Sequence, residues 1–193
     1  MLGEERLELL YHVRKDDSVV GSVERDRAHA GTVLHRSGMV FLLRSDVTIL
    51  LQHRSPKKTI FPDCFDSSSS FHVMFGESYE QAAGRELLEE TGISAPLKYL
   101  GKFSHYDPPE NQVVAVFSCT SDGPVEIDES EASGAFFYPP EEVDRIVASQ
   151  RTTPWLRNGW IMARNKILSS YGKPSTIQGV PEEEDSFLGE KRR

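Results

Sequence analysis

Apolar positions along the chain follow two periods, and the change from one to the other separates strands from helices. Leu7 to Val13 alternates loosely, Asp16-Asp17 marks a turn and Val19 to Val23 resumes an extended pattern, which predicts a hairpin. Val40 to Leu43, a Ser45-Asp46 turn and Val47 to Gln52 predict two more strands, because these runs are too short and too β-prone for helices. Phe61 to Ser70 reads Phe-Pro-Asp-Cys-Phe-Asp-Ser-Ser-Ser-Ser. It has no periodicity and many turn formers, so a surface loop is expected there. Strands are expected again at Leu97 to Phe103, Gln112 to Ser118 and Gly134 to Tyr138.

Helices are marked by their ends. Ser78 followed by Gln81 forms a capping-box pattern and Gly92 suits the position just past a C-terminus, so one helix is predicted from Tyr79 to Thr91. Gly84 inside it costs about 1 kcal/mol relative to alanine, which close backbone packing would explain. Two more helices are predicted to start at Pro139-Pro140 and at Thr153-Pro154. In the second, Thr153 can cap and Pro154 can occupy the first turn. Leu156, Trp160, Ala163 and Ile167 then share the inward stripe of a docked helix. Beyond Tyr171 the chain turns to Gly, Pro and Ser with a Glu-Glu-Glu-Asp run. One domain over 1–172 and an acidic, weakly ordered tail over 173–193 are expected.

The composition supports a single globular domain, since 193 residues with 38% hydrophobic and 27% charged side chains can bury a core. A formal charge of -8 argues against nucleic acid polymers as partners, because the counterion-release footprint is missing. A small phosphorylated ligand remains compatible, as a few local cations or a metal act at close range. The longest apolar runs, such as Met39 to Leu43 and Val113 to Phe117, fall far short of the roughly 18 residues needed to span a bilayer. The acidic start, Met-Leu-Gly-Glu-Glu-Arg, has no signal-type apolar core behind it, so a cytoplasmic location is expected. Cys64 and Cys119 then read as thiols, not as a disulfide.

Glu86, Glu89 and Glu90 stand at i, i+3 and i+4 of the predicted helix, so three carboxylates project from one face and repel. A divalent cation turns that repulsion into coordination, and hard oxygen donors suit Mg²⁺ or Mn²⁺. A Leu-Glu-Glu pair is also common on solvated faces, and spacing alone leaves both readings open.

The wider context resembles the signature of the Nudix hydrolases. The family pattern runs Gly, five spacers, Glu, seven spacers, then Arg-Glu-apolar-x-Glu-Glu-x-Gly-apolar. Glu77, Arg85-Glu86-Leu87-Leu88-Glu89-Glu90-Thr91-Gly92 and Ile93 match it in type and spacing, while Phe71 stands where the pattern opens on glycine. The resemblance implies an α/β class fold, an α/β/α sandwich around a mixed β-sheet. It also implies metal-dependent hydrolysis of a phosphoanhydride in a nucleoside diphosphate or other diphosphate-linked small molecule. Glu86, Glu89 and Glu90 would hold Mg²⁺ or Mn²⁺, Arg85 would orient the carboxylates through Glu77, and one glutamate would deprotonate water.

A second resemblance, to the type I isopentenyl-diphosphate isomerases, is carried by His35-Arg36, Arg54, Lys58, Phe61-Pro62, Phe65, His72, Glu110-Asn111 and Thr153-Pro154-Trp155. It implies a second metal site at His29, His35, His72 and Glu110, and a diphosphate clamp at Arg54 and Lys58. The isomerase chemistry is not implied, since Ser70 and Gln112 occupy the places of the proton-transferring cysteine and glutamate. Neither side chain titrates usefully at neutral pH. Read as residues alone, the histidines also suit ordinary loop and core positions, and Arg54, Lys57 and Lys58 a solvated turn. The competing expectation is a weakly active or inactive diphosphate-binding module. Phe71 and the want of a clear downstream base, with Glu129 and Glu131 as candidates, would favour it.

Overall fold

The computed structural model describes residues 8–30, 33–107, 110–149 and 151–171; the acidic segment from 173 onward lies outside the described residues. Strands β1 (Leu9–Val13) and β2 (Val19–Glu24) form the expected hairpin, followed by a short helix α1 (Arg25–Ala30). Strands β3 (His35–Leu43), β4 (Ile49–Arg54), β5 (Phe65–Asp66) and β6 (Ser69–His72) precede helix α2 (Tyr79–Thr91). Strands β7 (Lys98–Asp107), β8 (Glu110–Thr120) and β9 (Ala132–Tyr138) then lead into α3 (Pro140–Ala148) and α4 (Pro154–Tyr171). The sheet is mixed. It runs β2-β1-β3-β4-β5, β3 also pairs antiparallel with β6 and parallel with β8, and β7 and β9 pair with β8 and β4.

Side-chain alternation along the central strands builds both layers. Met39, Phe41, Leu43, Ile49, Leu51, Val114 and Val116 bury against α3 and α4, where Leu156, Trp160, Ala163 and Ile167 form the predicted stripe. Val40, Leu42, Leu50, Ala115 and Phe117 point the other way, onto Ala82, Ala83 and Leu87 of α2. The result is an α/β/α sandwich. Among the described residues no helix is long and apolar enough to cross a membrane.

Several expectations are corrected. The serine-rich stretch is not a surface loop: it contains β5 and β6, and Ser67, Ser68 and Ser69 are buried. Ser68 Oγ donates to the Leu50 carbonyl at 2.6 Å and accepts from Leu42 N at 2.7 Å, so its hydroxyl serves the sheet where an apolar residue would ordinarily sit. Val47 belongs to the turn before β4, at φ 69°. Gly84 is not held by close packing, since an added Cβ would meet only Leu97 Cδ1, at 3.9 Å. Phe71 adopts ordinary extended backbone within β6, opposite Gly38 of β3. Its ring occupies the space above that residue, where a Cβ on Gly38 would come within 2.5 Å of the ring. The close approach therefore depends on a glycine in the neighbouring strand.

Candidate active site

Helix α2 carries the first group of donors and is defined by its caps. Ser78 and Gln81 form the reciprocal capping box, and Gly92 closes the helix in the left-handed region at φ 69°. Arg85 grips Glu77 with two bonds, Nε to Oε1 at 2.8 Å and Nη2 to Oε2 at 3.0 Å. Its Nη1 reaches Glu86 at 2.7 Å and Glu89 at 3.2 Å. Hydrogen bonding to Arg85 holds the Glu77 carboxyl below its usual range. Glu89 is exposed, whereas Glu90 is buried and accepts from Gln52 Nε2 at 2.9 Å. Burial, then the charges of Glu86 and Glu131, push the Glu90 carboxyl well above its ordinary value. Burial raises Glu86 as well, against the pull of Arg85.

A second cluster gathers from four elements: His29 of α1, His35 of β3, His72 of β6 and Glu110 of β8. Sheet register assembles it, with His35 opposite Gln112 and Ser37 opposite His72. One potential ligand atom from each residue lies within 4.8 Å of all the others. The His29 and His72 Nε2 atoms are 3.1 Å apart, and the three imidazoles stand 3.7 to 3.9 Å from Glu110 oxygens. His35 Nδ1 lies 3.0 Å from the Val33 carbonyl, which leaves its buried Nε2 without a partner. Burial lowers His35 and His29, so both stay neutral at neutral pH. Burial alone would raise Glu110, but the nearby His72 imidazole, with the other two, holds it low.

The expected clamp residues lie on the same cavity, of about 510 Å³, which the glutamates of α2, His29, His72 and Glu110 also line. Arg54 donates to buried Asp66 at 3.0 Å and to the carbonyls of Ile60 and Phe61 at 3.1 Å, and its guanidinium sits 5.7 Å from the Trp155 ring. Lys58 is ion-paired with Glu131. Of the two candidate bases, Glu131 lines the cavity while Glu129 is exposed. Cys64 is a free, half-buried thiol raised by burial.

Both residues at the isomerase proton-transfer positions have structural partners. Ser70 Oγ donates to Asp66 at 3.0 Å. Gln112 accepts from Ser37 at 2.9 Å and donates to Glu110. Three contributors were not foreseen from the sequence: Asp66, Gln52 and the Phe71–Gly38 contact. Asp66 is an isolated acid in a serine run, and Gln52 lies inside an apolar strand. A polar residue at a predicted buried strand position was the available signal for Gln52.

The sandwich, with an acidic motif helix beside a polar cavity that Arg54 and Lys58 also line, is that of a phosphoanhydride hydrolase. The NUDIX domain family model matches residues 33–158, and the chain belongs to the Nudix family of hydrolases. It is similar to a prenyl-diphosphate phosphatase of Methanosarcina mazei, at 35% identity over 79% of this chain and 93% of that one. An isopentenyl-diphosphate Delta-isomerase of Serratia proteamaculans shares 36% identity, over 51% of this chain and 55% of its own length. Among solved structures, a Deinococcus radiodurans protein superposes with TM-score 0.69 at 29% identity, covering 81% of this chain and 98% of that one.

Proposed function

We propose that the protein is a divalent-metal-dependent hydrolase of a compact diphosphate ester, with a prenyl-type diphosphate as the favoured substrate class. The observation that carries this reading is the convergence of the α2 carboxylates, the histidine cluster and two cations on one cavity of about 510 Å³. Ile60, Phe71, Val114 and Trp155 among the lining residues suit a small apolar group, and the similar Methanosarcina mazei protein is named for prenyl diphosphates.

The donors present fit metal ions. Glu86, Glu89 and Glu90 supply hard oxygens for Mg²⁺ or Mn²⁺, and a cation would relieve both the cost of burial that chiefly raises Glu86 and Glu90 and the smaller repulsion between neighbouring carboxylates. His29, His35, His72 and Glu110 would hold a second ion, and the unpartnered Nε2 of His35 is the strongest sign of it. Bound metal would supply charge neutralisation at the diphosphate and a more acidic water.

The chain's own groups do the rest. Arg85, anchored on Glu77, keeps the α2 carboxylates in place, and one of these glutamates takes the proton of the attacking water. The water oxygen bonds to phosphorus as the bridging P–O bond breaks. Arg54 and Lys58 hold the departing phosphate charge. The two free thiols accord with a cytoplasmic setting.

Hydrolysis with Mg²⁺ or Mn²⁺ tests the reading, followed as phosphate release from prenyl diphosphates and as release of phosphomonoester products from ADP-ribose and other nucleotide-linked diphosphates. Metal-dependent release, lost in Glu86→Gln and fastest with a prenyl diphosphate, is expected. Binding without turnover of any ester would favour a binding module instead. Isopentenyl diphosphate in deuterated water should show no allylic isomer by NMR.

A further inference from the structure

We propose that Glu131 is a built-in competitor of the diphosphate: it holds Lys58 while the cavity is empty, and ligand entry moves the Lys58 ammonium from this carboxylate to a phosphate oxygen. The inference rests on the reading of Lys58 as a clamp residue. The ion pair joins residues far apart in the chain, and both line the cavity. The backbone on either side is pinned. Ser55 N donates to the Glu131 carbonyl at 3.0 Å, Lys58 N to the Ser55 carbonyl at 3.1 Å, and Glu131 N to the Asp128 carbonyl at 3.0 Å. An exchange of partners therefore needs only side-chain rotation, which the flexible four-carbon stem of lysine allows.

The pair is also weak enough to exchange. Its side chains are 24% and 37% exposed, a setting in which water screens much of the attraction. The neighbouring Asp128 carboxylate accepts from Ser130 N at 2.8 Å. Arg54 is built differently, tied to a buried carboxylate and two carbonyls. The clamp thus combines one fixed cation with one exchangeable cation, and Glu131 recovers Lys58 as the product leaves.

Calorimetry of pyrophosphate binding in the presence of Mg²⁺ decides the matter, using wild type, Glu131→Gln, Lys58→Ala and the double variant. Glu131→Gln should tighten binding by about two- to fivefold, the range that partly exposed ion pairs carry. Lys58→Ala should weaken binding by about tenfold or more. In the Lys58→Ala background, Glu131→Gln should change nothing. Unchanged or weaker binding by Glu131→Gln overturns the competitor role while leaving the clamp intact. An equal gain in the Lys58→Ala background also overturns it, because Glu131 would then act by general repulsion. Wild-type affinity in Lys58→Ala removes the clamp assignment itself.

Discussion

One cavity carries two sets of donors built in opposite ways. The α2 carboxylates come from five consecutive residues, spaced by the helix itself, whereas His29, His35, His72 and Glu110 are brought together by α1 and three strands. Burial acts on both with opposite results. It raises Glu86 and Glu90 toward their protonated forms, and it lowers His35 and His29 toward their neutral, metal-binding forms. Carboxylates with raised values stabilise the fold below the ordinary value of 4.5, and that contribution is lost as pH rises through the folded value. Imidazoles with lowered values stabilise it above 6.5, and that contribution is lost as pH falls toward the folded value. The same loss of water thus favours the uncharged form in both sets.

The contrast breaks most sharply in turnover. Glu86→Gln or Glu90→Gln should lower metal-dependent phosphate release by more than about 100-fold, because a ligand matters more than the outer partners that already cost 10- to 100-fold. Steady-state kinetics checks this. Next, His72→Gln should weaken Mn²⁺ or Zn²⁺ binding by at least about tenfold and spare Mg²⁺ binding, with Glu89→Gln plus Glu90→Gln doing the reverse. Calorimetry with each ion would show whether the sites are separate, and parallel losses would merge them.

Gly38→Ala should destabilise by about 1 to 3 kcal/mol through overpacking against Phe71. Denaturant melts of the pair with Phe71→Leu should show less than additive loss. Metal-free thermal melts across pH sharpen the electrostatic contrast. Glu90→Gln should gain stability over wild type as pH rises from 4.5 toward neutrality, where wild type bears the cost of ionising a buried carboxylate. The smallest effect is expected for Gly84→Ala, which should stabilise by about 0.5 to 1 kcal/mol, since the helix there has room for a methyl group.

The same division decides what the sequence could reveal. The caps and carboxylates of α2 and the stripe of α4 are local patterns, and each is found where its spacing puts it. The histidine cluster is not local, although one trace of it exists in alternation. Counting back by twos from Met39 reaches His35, and from Val114 reaches Glu110, on strands whose partners no spacing reveals. Strands β5 and β6 escaped because they are only two and four residues long and the buried serines joining them, Ser67 and Ser68, bond to backbone carbonyls, so the stretch carries no apolar alternation. Helix α1 is six residues long and buries only Ala28 fully, too little for an amphipathic signal.

Asp66 has a consequence for how the molecule opens. Its carboxylate accepts from Arg54, Ser70, Thr153, Trp155 and the Ser67 amide, and so ties the start of α4 to the cation that faces the cavity. Thr153 caps α4 through its contact with Leu156 N at 3.3 Å while bonding Asp66 at 3.1 Å. Fraying of that helix end and loss of the Arg54 anchor are therefore one event. In hydrogen exchange the first turn of α4 and the β5–β6 segment would behave as a single cooperative unit, with an opening energy set by one buried carboxylate.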